Sequence, residues 1–112
     1  MIAPQSDLQI VLVTAADIAT ARTLARWVLE RRLAACVNLL PEIESHYWWQ
    51  GKLDRGTEVL MLIKTTAAHI PTLEQAILER HPYDTSEFVV VSAARVTEIY
   101  WRWVQESVSP NA

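Results

Sequence analysis

The sequence predicts an α+β domain of the ferredoxin-like, split β-α-β kind, with one further helix at its C-terminal end. Three observations carry that prediction. Apolar runs of strand character and runs of helical spacing follow one another in the order strand, helix, strand, strand, helix, strand, helix. Only the second and third strands are joined without a helix between them, so they form a hairpin. Several strands are apolar at both odd and even positions, which marks a sheet that needs cover on two faces.

The elements follow in order. Leu8 to Thr14, LQIVLVT, is a short run rich in β-branched residues and reads as a buried strand. Asp17 is an N-cap for a helix whose apolar positions Ile18, Ala21, Ala25, Val28 and Leu29 share one face, and the pattern ends near Leu33. Ala35 to Gln50 is extended, with Pro41 as the place where the ladder breaks and the strand bends. The only two glycines, Gly51 and Gly56, bracket a polar loop, and VLMLIKT after it is the return strand of a long hairpin. A second helix starts between Thr66 and Pro71, carries Ile70, Leu73, Ala76 and Ile77 on its apolar stripe, and stops at His81-Pro82. Phe88 to Val91, FVVV, reads as an interior strand covered on each side. Thr97 to Val108 is a ring-rich helix.

Right-handed crossovers put the first two helices on one face of such a sheet and leave the other bare. Leu60 and Leu62 on one side of their strand, against Val59, Met61 and Ile63 on the other, make that second face apolar as well. Sheets of several copies packing together are the expected remedy. Tyr47, Trp48 and Trp49 fit the same account. An extended strand sends Tyr47 and Trp49 to one face and Trp48 to the other, and each buried ring contributes roughly 4–6 kcal/mol gross, so the three are expected at a subunit contact.

The 112 residues suit a single domain, 1–112, with a core over about 8–108. At 51% hydrophobic and 21% charged residues the composition is that of a folded globular chain. A net charge of −3 with two lysines disfavours a nucleic-acid partner. No apolar run approaches the roughly 20 residues of a membrane span and no basic leader opens the chain, so a cytoplasmic protein without membrane insertion is expected.

Metal chemistry has two candidates. Cys36 offers a soft thiolate for Cu or Zn, and the competing reading is a small buried apolar residue between Ala35 and Val37. His81, beside Glu79 and Asp84, offers an imidazole, and the competing reading is a histidine hydrogen-bonded to the free carbonyls of its own helix end. His46 and His69 lie in different elements and read as surface residues. Glu58 and Lys64, six residues apart on one strand, share a face and are candidates for a polar cleft. No nucleophile, base and orienting group can be placed together, so no enzyme activity and no required cofactor are expected. VTAADIA lacks the glycines of a phosphate cradle, which disfavours an acylphosphatase, and FVVV lacks the rings and charge of an RNA-binding sheet.

Several motifs occur together: AACVN at 34–38, S-x-Y-x-W-x-G-K at 45–52, Glu58, Lys64-Thr65, HPY at 81–83, Glu87, and Y-x-x-W at 100–103. In this combination the chain resembles the CutA family of divalent-cation tolerance proteins, from Leu8 to about Val108. The resemblance implies a homotrimer similar in architecture to the PII signalling proteins, a link to copper and other divalent metals, and no defining catalytic reaction. It adds Tyr83, Glu87, Tyr100 and Trp103, at family-matching positions, to Glu58 and Lys64 as residues of a ligand-binding cleft. Where some members of the family have cysteine and a second histidine, this chain has Val13 and Arg80, which removes one thiol-containing metal site. Ser86 and Val96 stand where many members have proline and glycine. Two functions follow: weak divalent-metal binding by a trimer, or a PII-like sensor holding a small anionic ligand between subunits with Lys64 as counter-ion.

Overall fold

A computed structural model describes residues 7–83 and 86–110. Strand β1 (Leu8–Ala15), helix α1 (Ile18–Glu30), strands β2 (Cys36–Trp49) and β3 (Lys52–Thr66), helix α2 (Ile70–Arg80), strand β4 (Val89–Ser92) and helix α3 (Glu98–Ser107) follow one another, with a single 3₁₀ turn (Ala67–His69) before α2. The strands form one antiparallel sheet in the order β2-β3-β1-β4, the order of a split β-α-β unit.

The side chain of Asp17 accepts the Thr20 N–H at 2.7 Å, and this bond holds its carboxyl below the usual range. Helix α1 ends three residues before the expected Leu33. Arg32 takes a left-handed φ of 58°, while the N–H groups of Arg32 and Leu33 return to the carbonyls of Leu29 and Val28. That is a Schellman stop built without glycine, which is why the periodicity hid it. Trp27 on α1 lies between the guanidinium groups of Arg31, 2.9 Å from the ring centre, and Arg80, 3.6 Å from it, so the stack ties α1 to the end of α2.

The hairpin is longer than expected, because its loop is only Gln50-Gly51. Both residues have positive φ, 49° and 79°, which makes a two-residue turn whose twist matches that of the strands. Gly56 therefore lies inside β3 and not at a loop end. A β-carbon there would come within 3.4 Å of the Tyr47 hydroxyl, so the missing side chain makes room for that ring.

Pro41 marks the expected irregularity. Leu40 pairs with Leu60 and Ile43 with Glu58, so Pro41 and Glu42 together oppose Val59, and Glu42 takes a φ of 59°. The extra residue reverses which side each later position of β2 faces. Val37 and Leu39 pack toward the helices, whereas Tyr47 and Trp49 pair with Asp54 and Lys52 on the opposite face. Without the bulge those rings would point to the helix side.

On the helix side, Val11, Val13, Val59, Met61 and Ile63 of the sheet meet Ala21, Leu24 and Val28 of α1 and Leu73 and Ile77 of α2 in one buried cluster. The other face carries Leu12, Leu60 and Leu62, only half-buried, and Leu40, exposed. Helix α3 packs against β3, and its Tyr100 ring stands over Lys64. The Arg32 guanidinium donates to the Ser107 carbonyl at 3.0 Å and fixes the end of α3.

Strand β4 corrects one expectation. FVVV is not an interior strand: β4 is an edge strand paired only with β1, and Val89, Val90 and Val91 are 47%, 40% and 45% exposed. Its apolar residues are uncovered within one copy of the chain. Phe88, one residue before the strand, does reach the core cluster.

Candidate functional site

A cavity of about 790 Å³ opens where the hairpin leaves the body of the sheet. Thr14 at the end of β1, Asp54 and Glu58 of β3, the rings of Tyr47, Trp48 and Trp49, and Tyr83 and Glu87 from the segment after α2 line it. The bulge supplies Tyr47 and Trp49 to this face, and the short turn sets Asp54 opposite Tyr47.

Tyr83 donates its hydroxyl to Glu58 Oε2 at 3.0 Å. Burial, aided by that bond and by the charge of Glu58, pushes the phenol up to about 12, so Tyr83 is a hydrogen-bond donor at any physiological pH. Glu87 is raised above the ordinary carboxylate range, first by loss of solvent on its cavity side and then by the charge of Glu58. Among the described residues no lysine or arginine lines the cavity, so the two carboxylates act on each other without a local counter-ion.

His81 positions this arrangement from behind. Its ring is buried, with Nε2 2.6 Å from the Thr14 carbonyl and Nδ1 3.1 Å from the Tyr83 backbone nitrogen. A carbonyl can only accept and an N–H can only donate, so Nε2 carries the proton and Nδ1 accepts. The imidazole also stacks against Tyr83, with 4.7 Å between ring centres. Both nitrogens are therefore in use, and His81 presents no free lone pair to a metal. It bonds a carbonyl of β1, 67 residues away, where the sequence pointed to carbonyls of its own helix. Glu79 accepts from Gln75, and Asp84 lies outside the described residues.

The other sequence candidates are elsewhere. Lys64 is six residues from Glu58 along β3, roughly 20 Å at the rise of a strand, so the two belong to opposite ends of one face. Around Lys64 stand Cys36, its partner across β2 and β3, Tyr100, with its ring centre 5.9 Å from Nζ, and Trp103, 5.5 Å from Tyr100. The Cys36 thiol contacts Asn38 Oδ1 at 3.8 Å. His81 and Cys36 are thus not brought together, and among the described residues no three His, Cys, Asp or Glu side chains converge as a metal site. His46 pairs with Glu44 at 2.7 Å and also lines the cavity, while His69 bonds Thr66 Oγ1 at 2.6 Å.

Thr14 and Asp54 are site residues that sequence reasoning passed over, and His46, read as a surface residue, is exposed and lines the cavity as well. Asp54 was legible in principle, since a two-residue turn at Gln50-Gly51 sets it across from Tyr47. Thr14 carries no such signal. Its carbonyl matters because His81 folds back onto it.

Comparison with known proteins agrees with this fold over nearly its whole length. The family model described as CutA1 divalent ion tolerance protein matches residues 9–107. A divalent-cation tolerance protein CutA from Pectobacterium atrosepticum is 43% identical over 105 residues, covering 94% of this chain and 96% of that protein. Protein CutA of Homo sapiens is 42% identical over 102 residues, but the match spans 88% of this chain and only 57% of that longer protein. Among solved structures, CutA from Synechococcus elongatus superposes with a TM-score of 0.93 at 35% identity, covering 97% of this chain and 96% of that one. None of these names describes a catalysed reaction. Among the described residues no helix is long and apolar enough to cross a membrane. The chain belongs to the CutA1 family of divalent ion tolerance proteins.

Proposed function

We propose that this chain acts as a non-enzymatic, cytoplasmic homotrimer of PII-like architecture that serves tolerance of divalent metal ions, copper among them, by binding a cation weakly and without a required cofactor. The observation that carries the metal-binding part is the pair Glu58 and Glu87, two carboxylates facing one cavity with no positive side chain between them. Tyr47, Trp48 and Trp49, 39%, 72% and 50% exposed in the single copy, would bear on the neighbouring subunit and narrow the mouth of that cavity. Two carboxylates and a phenol make a weak, oxygen-donor site for Cu(II) or Zn(II). His81 joins as a ligand only by giving up its bond to Thr14 or to Tyr83, and Cys36 only through a different site.

Calorimetric titration with Cu(II) and Zn(II) tests this. Glu58→Gln is expected to weaken binding several-fold while Cys36→Ser leaves it unchanged. Equal affinity in the parent and Glu58→Gln contradicts the assignment, and a loss in Cys36→Ser moves the site to the thiol. His81→Ala reports whether the imidazole takes part.

A second reading rests on Lys64. Among the described residues it makes no ion pair, and it faces the Tyr100 ring at the end of the face away from Glu58, which suits a small anionic ligand held between subunits. Thermal stabilisation by a nucleotide or organic acid that disappears in Lys64→Ala would favour it, and no stabilisation by any such ligand counts against it.

A further inference from the structure

We propose that the cavity between the hairpin and Tyr83 is a site for a small organic cation, an amine or guanidinium carried on a short aliphatic chain. The inference rests on reading this cleft as cation-facing and names a different class of occupant, for which metal ions are weak competitors.

The lining separates the two classes. A metal site needs convergent donors, and among the described residues none gathers three. Four aromatic rings stand in this wall: Tyr47, Trp48, Trp49 and Tyr83. Rings give little to a strongly hydrated inorganic ion. They attract an ammonium or guanidinium group through the negative face of the π-system and also cover its methylene stem. Glu58 and Glu87 supply the charge at one end, and Asp54, four residues up the same face of β3, lies roughly 13 Å further along. Carboxylates at that separation with aromatic walls between them match a molecule cationic at both ends better than a point charge. About 790 Å³ is also far more room than one ion occupies and falls within the range of small-molecule sites. The Tyr83 hydroxyl already donates to Glu58, which leaves the second oxygen of that carboxylate, and both of Glu87, to accept from the ligand.

Titration of the full chain at neutral pH and low salt tests the proposal with agmatine, with uncharged 1,4-butanediol, with magnesium chloride, and in parallel with Zn(II). Agmatine is expected to saturate one site per protomer, butanediol to show no binding, and magnesium to compete only at much higher concentration. The isosteric double variant E58Q/E87Q should lose at least about tenfold in agmatine affinity with no fall in its melting temperature. Trp49→Leu should weaken agmatine several-fold while Zn(II) affinity stays put. No saturable agmatine binding overturns the proposal, as does equal affinity in the double variant or for butanediol. If Zn(II) binds and agmatine does not, this inference fails and the metal reading stands. If agmatine binds and Zn(II) does not, the outcome is the reverse.

Discussion

The two faces of the sheet are built from similar residues to different ends. On the helix side, Val11, Val13, Met61 and Ile63 are fully buried against α1 and α2, and the buried Thr65 hydroxyl donates to the Leu33 carbonyl at 2.8 Å. On the other side, Leu12, Leu60 and Leu62 have comparable chemistry but are half-covered, and the polar groups of the cleft, Glu58 and Glu87, push against one another. One face is finished within a single copy. The other is left half-covered within a single copy. Stability is therefore expected to reside in the first face, and assembly and binding in the second.

The largest effect should come from the finished face. Met61→Ala leaves a cavity in the cluster and should cost about 2–5 kcal/mol in urea unfolding, whereas Leu62→Ala, one residue along, should cost clearly less at low protein concentration. Equal losses would erase the distinction between the faces. His81→Phe comes next, because it strands the Thr14 carbonyl and the Tyr83 N–H; about 1–3 kcal/mol is expected in the same assay. Leu62→Lys should leave the protomer folded by circular dichroism and break its association, since one charge on a covered apolar face is left unpaired.

Smaller effects read the cleft. In Glu58→Gln the Tyr83 phenol, pushed up to about 12 in the parent, should titrate lower by ultraviolet absorbance, but only part of the way, because burial is the larger cause and remains. Glu87→Gln tests the sign of the repulsion. The Glu87 carboxyl is raised in the folded chain, so its ionisation works against folding once the pH exceeds its unfolded value of about 4.3. Below that pH both states are protonated and the penalty vanishes. The variant should therefore melt slightly higher than the parent at neutral pH and match it near pH 4; a lower melting point at neutral pH would reverse the assignment.

Much of the first face was legible in the sequence and much of the second was not. The strands and helices of the core announce themselves by local spacing, and Pro41 marked the bend because proline cannot serve a ladder. Helix α1 misled at its end because Arg32, not glycine, adopts the left-handed residue of the stop. FVVV read as an interior strand since apolarity on both sides signals a need for cover but not where the strand sits: β4 is at an edge, and its valines are exposed in the single copy. The cleft depends on a parity. A single extra residue at Pro41-Glu42 decides whether Tyr47 and Trp49 join Glu58 or face the helices, and only the pairing register reveals it. Likewise, the grouping of Glu58 with Lys64 followed from strand alternation, which gives the face and says nothing of the distance along it.

The central claim is that the half-covered leucine face and the exposed edge strand are closed by further copies of the chain. Multi-angle light scattering on the protein eluting from a sizing column, at micromolar concentration and moderate salt, tests it most directly. The account predicts a single species of three times the protomer mass that Leu62→Lys converts to one protomer; a parent chain that elutes as a stable monomer would contradict it.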